Sequence, residues 1–316
     1  MRYQKPFLSI EQQIVQLEQR GLEIGDRLLA TRALEQIGCY RLSAYWYAFR
    51  EIRDNRRTDA FLAGARLQDA VSLYIFDKKL RLLVLDAIER IEISLRTDIA
   101  LTVGVHGGWA HRDARFVHPR FNKPNRRGQI PFQEWMSRLD KCESRSRDEF
   151  VTHFRTKYTT ERFLPVWMSV EVWELGLLSH FLGGMRHGDI TAIGKRYGLS
   201  DAKLLPSWTR TFTFVRNVCA HHGRLWNRAM VDQPAFPRAG SIADFDHVVV
   251  SRPSQERLYG TLVILNYLVR QLNGGTEWHR RVTELLDSFP DSPLLSLSSA
   301  GFPEGWKQEA IWNYGA

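Results

Sequence analysis

The densest chemistry in the chain lies in Arg216-Asn217-Val218-Cys219-Ala220-His221-His222-Gly223-Arg224-Leu225-Trp226-Asn227-Arg228. An imidazole that titrates near neutral pH can take or give a proton, and a guanidinium can steady negative charge on phosphoryl oxygens. Arg216 and His221 are therefore residue types suited to phosphate-ester chemistry, with Asn217 as an orienting hydrogen-bonding group. Leu205, Trp208, Phe212, Val215 and Cys219 step by three and four, which predicts a helix with its other face in the core. On that helix Asn217 and His221 share a face one turn apart, whereas Arg216 and His221 diverge by about 140°. If the helix continues, His222 projects about 100° from His221, a direction that suits a phosphate or an interface. Arg224 and Arg228 either guide an anionic substrate or are solvated helix-end charges. The alternative for Arg216, Asn217 and His221 together is a buried polar network that locks helices.

The elements that must hold this segment are helical by pattern. Ser9 as cap, Gln12 at the third position and Ile10, Ile14 and Leu17 on one stripe predict a helix up to Gly21. Asp26 to Gly38 predicts another. Tyr40 to Phe49 is rich in aromatics at helical spacing, which favours core over a base-stacking platform. Arg50, Arg53, Arg56 and Arg57 then read as a helix end and loop, solvated or touching a polyanion backbone. Leu67 to about Leu101 predicts one long helix or two abutting ones, in which Glu92 and Arg96 can form an i,i+4 pair worth a few tenths of a kcal/mol. From Gly104 to Gly128, Gly107-Gly108, Pro119, Pro124 and Asn125 interrupt the pattern while Arg112, Arg115, Arg120, Lys123, Arg126 and Arg127 add charge. That insertion reads as flexible and polyanion-facing. His106, His111 and His118 within it lack the cysteine or carboxylate partners that would complete a zinc site, so no metal is assigned. Short helices are expected at Phe132–Leu139 and Phe150–Tyr158, and a further core helix after Pro165 that carries Glu171. Later helices are expected at Ile190–Tyr197, along Leu258, Leu262, Leu265 and Leu268, and from Trp278 to Phe289. Trp306 and Trp312 suggest that the tail packs.

With 316 residues the chain can bury a large core. A formal charge of +9, much of it arginine, favours a polyanionic partner. Cys39, Cys142 and Cys219 are too few and too scattered for a disulfide framework and read as reduced thiols of a cytoplasmic protein. The start carries no apolar secretory core, and no apolar run reaches the roughly 20 residues of a membrane span, so neither export nor a membrane partner is expected.

The Arg216-Asn217-x-x-x-His221 spacing resembles the motif of the HEPN ribonucleases, and the longer run through Trp226 and Asn227 resembles bacterial abortive-infection proteins of the AbiD/AbiF type. Lys5-Pro6-Phe7-Leu8, Gln12-Gln13, Gly21-Leu22, Tyr40-Arg41-Leu42-Ser43, Ile91-Glu92 with Arg96, Leu164-Pro165-Val166-Trp167 and Glu171 to Ser179 follow in that family's order. The resemblance implies an all-α fold: a HEPN-like helical bundle core over residues 65–289 that includes the basic insertion 104–128, a helical N-terminal elaboration over 1–64 and a tail over 290–316. It implies a metal-independent endoribonuclease without cofactor, with Arg216, Asn217 and His221 catalytic, Glu92, Arg96, Glu171 and His222 supporting, and the basic residues of the insertion with Arg224 and Arg228 on RNA. The expected partners are RNA, a second copy in a homodimer whose two motifs face one groove, and a noncoding RNA or protein antitoxin. The reading from another class is a noncatalytic RNA-binding or scaffold protein; a metal-dependent nuclease ranks third, because no paired-carboxylate motif is legible.

Overall fold

Ser9 starts the first helix in the computed structural model as the sequence predicts: its hydroxyl accepts from the Gln12 N–H, and the Gln12 side chain accepts from the Ser9 N–H. The structure describes residues 2, 4 and 6–314. Lys5 of the N-terminal match, and residues 315–316 of the tail, lie outside the described residues.

The helices in order are α1 Ile10–Gln19, α2 Arg27–Gln36, α3 Cys39–Trp46, α4 Leu67–Gly104, α5 Pro131–Arg145, α6 Glu149–Lys157, α7 Val166–Ser169, α8 Leu175–Gly184, α9 His187–Arg196, α10 Leu204–Ala220, α11 Asp246–Val249, α12 Arg252–Glu256, α13 Leu258–Leu272 and α14 Trp278–Asp287. The fold is all-α apart from one small hairpin, β1 Arg50–Arg53 and β2 Arg56–Phe61. The hairpin replaces the loop expected there. Asp54 and Asn55 both take positive φ (50° and 58°) between paired Arg53 and Arg56, the two-residue turn whose twist matches antiparallel strands.

The centre is α4, a single 38-residue helix. It buries side chains along most of its length and packs against α3, α7, α9, α10, α13 and α14. Helix α10 lies between α4 and α8. The aromatics of α3 divide as core first and surface second: Tyr45, Trp46 and the following Phe49 are buried, while Tyr40 and Tyr47 are exposed. The tail folds back onto α13, where the Asn266 amide donates to the Ile311 carbonyl at 2.6 Å and the Trp312 indole to the Tyr259 hydroxyl at 3.2 Å.

Two expectations need correction. The segment after Pro165 is not one helix: α7 passes into a 3-10 turn over Val170–Val172, which carries Glu171, and the backbone extends at Trp173 and Glu174 before α8 begins. The break has a physical anchor, since the Trp173 carbonyl accepts from Arg96 at 2.8 Å and its indole N–H donates to Ser169 Oγ at 2.9 Å. The basic insertion is not a loose loop either. It forms three 3-10 turns, buries Val117 and Phe121, and is tied to the end of α8 by the His118 N–H to Gly184 carbonyl bond at 2.8 Å.

Within the insertion His111 is fully buried beside Trp173, and neither ring nitrogen is hydrogen-bonded. Burial first, then the neighbouring Arg112 charge, pushes its pKa from the ordinary 6.5 down to about 3. Between those values the unfolded chain binds a proton that the folded chain refuses, so stability falls as pH drops from 6.5 toward 3. His111→Leu is expected to flatten the acid limb of a urea-unfolding profile below pH 6.5 by on the order of a few kcal/mol; an unchanged limb would contradict this.

Candidate functional site

Leu205, Trp208, Phe212, Val215 and Cys219 bury one face of α10, and the opposite face stays at the surface. The helix stops at Ala220. His221 is the cap residue, His222 takes a left-handed φ of 56°, and the chain reverses. Two bonds close the end, from the Gly223 N–H to the Val218 carbonyl at 2.8 Å and from the His222 N–H to the Cys219 carbonyl at 3.0 Å. This is a Schellman closure with histidine in the position that glycine usually takes. His222 therefore does not project from a continued helix, because the segment that follows is pulled back across α4.

Asp77 of α4 does the pulling. Its carboxylate, 0% exposed, accepts from the Trp226 N–H at 2.6 Å, the Leu225 N–H at 3.2 Å and the Tyr45 hydroxyl at 2.8 Å, and is ion-paired to buried Arg81 one turn on. Burial pushes the carboxyl up, and Arg81, Tyr45 and the two backbone N–H groups oppose it. Arg81 also donates to the Gly223 carbonyl at 3.3 Å, and Arg41 to the His222 carbonyl at 2.6 Å. Leu225 and Trp226 thereby enter the core, with the Trp226 ring against Phe76 and Phe289.

At this fixed helix end the side chains of Arg216, Asn217 and His221 make no hydrogen bond with any described residue. Arg216 is half-buried, and Asn217 and His221 are exposed. The buried network considered for them is not found here; the locking network is that of Asp77, Arg81 and Tyr45. Arg216 lines a groove of about 580 Å³ with Glu92, Arg96 and Glu171, together with Lys141 and Arg145 of α5. Arg96 bonds Glu92 at 2.6 Å. Burial raises the Glu92 carboxyl pKa, opposed by Arg96 and Arg216. Asn217 and His221 are not among the groove's lining residues; they occupy the neighbouring outer stripe.

The remaining cations fall into two sets. Arg224 is half-buried and donates to the Ala44 carbonyl at 2.5 Å, its pKa lowered by burial and then by Arg228; Arg228 donates to the Arg224 carbonyl at 2.7 Å. Arg112, its side chain 6% exposed, is ion-paired to Asp140 and Glu143 at 2.7 Å each. These three brace the fold. Arg115 is exposed and pairs with Asp113 at 2.6 Å. Arg120, Lys123, Arg126 and Arg127 are exposed, and their side chains have no ion pair with a described residue. Among the described residues no group of three or more His, Cys, Asp or Glu is placed to hold a metal ion, and no helix is long and apolar enough to cross a membrane.

Sequence reasoning overlooked Asp77, Arg81, Tyr45 and Arg41 as a unit. The available signal was an aspartate and an arginine one turn apart among Leu73, Phe76, Leu80 and Val84, an acid and a base on a face that otherwise belongs to the core.

The fold and site describe a helical chain with one small hairpin, whose motif helix ends on a clamped turn beside an Arg-Asn-His set that makes no side-chain hydrogen bond with a described residue. The Abi-like protein family model matches residues 32–227, more than half of the chain, from within α2 through the clamped turn, and the chain belongs to that family. No curated protein and no solved structure matches it.

Two stability outcomes follow from the clamp. Asp77→Ala, which leaves Arg81 buried without its partner, is expected to cost about 3–5 kcal/mol in urea unfolding; a loss below 1 kcal/mol would contradict the clamp's role. His222→Gly removes the left-handed penalty and is expected to stabilise by about 1 kcal/mol, read as a higher urea midpoint.

Proposed function

We propose that this Abi-like protein is a metal-independent endoribonuclease that acts as an abortive-infection or toxin effector. The observation that carries the reading is that the side chains of Arg216, Asn217 and His221 stand accessible, with no hydrogen bond to any described residue, at a clamped helix end. Asn217 and His221 are exposed and Arg216 lines an open groove, so all three can be reached by a substrate. RNA brings its own nucleophile, the ribose 2′-hydroxyl. His221 moves a proton at that hydroxyl or at the leaving 5′-oxygen, Arg216 balances charge on the phosphoryl oxygens, and Asn217 orients the phosphate. The products are a 2′,3′-cyclic phosphate and a 5′-hydroxyl. Glu92 orients Arg216, with Arg96 holding Glu92; Glu171 and His222 flank the site.

One motif offers one histidine, His221, for proton transfer, which leaves either the acid or the base unsupplied. We therefore propose a homodimer in which two motifs face one groove across a two-fold axis, built on a HEPN-like bundle with α4 and α10 at its centre. The exposed cations Arg120, Lys123, Arg126 and Arg127, with Arg115, favour an RNA partner, and restraint by a noncoding RNA or a protein antitoxin fits an effector of this kind.

A labelled RNA incubated with the protein in chelator tests the chemistry. Wild type is expected to cut, a 2′-deoxy residue at the cut site to block cleavage, and His221→Ala to lower the rate by about 10²–10⁴. Equal RNA binding by wild type and His221→Ala, with no cleavage by either, would favour the noncatalytic RNA-binding reading. Specific metal rescue of activity lost in chelator would overturn metal independence. Cleavage retained by a verified monomer would refute the composite site.

A further inference from the structure

A cavity of about 670 Å³ opens where α8, α9 and the first half of α10 meet the basic insertion. Its volume lies within the range of small-molecule sites. Buried Phe121, Leu182 and Met185 supply apolar lining, and exposed Arg120, Lys203 and Arg210 line it as well. None of those three cationic side chains has an ion pair with a described residue, and Asp232 is the one carboxylate in the lining. An apolar surface beside several unpaired cations fits a ligand that is flat and apolar at one end and anionic at the other.

Phe121 is built in as a wall. Its ring lies against bare Gly184, where a Cβ would come within 2.2 Å of it, and it meets the half-buried His180 edge-on at 5.2 Å between ring centroids. Burial, with the Arg138 and Arg210 charges, lowers the His180 pKa below its ordinary value. A neutral imidazole there offers one donor and one acceptor, as a base edge requires.

The position of the cavity separates a strand-bound nucleotide from a free one. Pro206, Arg210 and Thr213 lie on the same outer stripe of α10 as Asn217 and His221, at successive steps of four, three, four and four. Thr213 and His221 are two turns apart, about 12 Å along the axis. A strand with its phosphate at His221 would run along this stripe into the cavity.

We propose that the cavity holds one nucleotide of the RNA strand that flanks the phosphate at His221, with its base on Phe121 and its phosphates on Arg120, Lys203 and Arg210. This rests on the ribonuclease reading and adds a subsite that selects the flanking base.

Full-length His221→Ala protein and fluorescein-labelled single-stranded RNA oligonucleotides of each of the four bases provide a binding test that needs no cleavage. A Cβ added at Gly183 would meet no atom within 4 Å and this glycine lines the cavity, so Gly183→Trp is the change chosen to obstruct it. That change is expected to weaken binding at least about tenfold and to erase preference among the bases. The double change Lys203→Ala/Arg210→Ala removes only exposed, unpaired charges and is expected to lower the slope of log affinity against log salt by roughly one to one and a half. Folded variants that bind like their parent would overturn the subsite. Nucleoside monophosphates that compete as tightly as the oligonucleotides would overturn its assignment to a strand. With His221 intact, binding that depends on the cavity in a protein that cuts nothing sustains the subsite and sinks the ribonuclease reading; cleavage at unchanged sites and rate in Gly183→Trp does the reverse.

Discussion

The buried Asp77–Arg81 pair determines where the motif helix ends. A carboxylate with no exposure is costly to hold in the core, and it is tolerated because every direction around it carries a donor: Arg81, the Tyr45 hydroxyl, and the N–H groups of Leu225 and Trp226. Two of those donors belong to the backbone just past α10. The chain must therefore turn back over α4 within a few residues of Ala220, and His222 takes the left-handed conformation that makes the reversal. The strain at His222 and the burial of two charges both serve one geometric end, which is to fix the last turn of α10 relative to α4.

The polar side chains at that helix end make no hydrogen bond with a described residue. Arg216 faces a groove shared with Glu92, Arg96 and Glu171, while Asn217 and His221 lie one stripe further out. A clamped mount whose polar tips make no internal hydrogen bond is the arrangement that electrostatic preorganisation calls for, because no hydrogen bond has to be broken before a phosphate is met. The neighbouring arginines behave differently. Arg41, Arg81 and Arg228 donate to backbone carbonyls of the turn, Arg224 to the Ala44 carbonyl of α3, and Arg96 to Trp173. Fork-shaped donors that reach two acceptors at once suit that work. The net positive charge is thus partly structural, while Arg120, Lys123, Arg126 and Arg127 of the insertion and Arg210 of α10 are exposed cations with no ion pair to a described residue.

Much of the helical framework was legible from periodicity and caps. The Ser9–Gln12 capping box, the long helix through Ile88, Ile91, Leu95 and Ile99, the buried stripe of α10 and the apolar run of α13 all have local signals that survive packing. The misses share a cause, since each depends on a partner distant in sequence. The turn at Asp54–Asn55 needed its strands to be recognised. The break at Trp173 is stabilised by Arg96 from α4, and the helix stop at His221 by Asp77, so a reading along the chain extended both helices too far. Of the candidate residues, Glu92, Arg96, Glu171 and Arg216, named from the resemblance, share one groove, but Arg112, Arg224 and Arg228 look the same on paper whether they brace the fold or face solvent.

The central claim is that the unpaired set at the end of α10 performs RNA chemistry. Its most direct test is to incubate purified protein with total RNA in chelator and sequence the new ends beside a folded His221→Ala control. The account predicts 2′,3′-cyclic phosphate and 5′-hydroxyl ends that fall to background in the variant. New ends that are equally abundant in both proteins, or that carry 5′-phosphates, would contradict it.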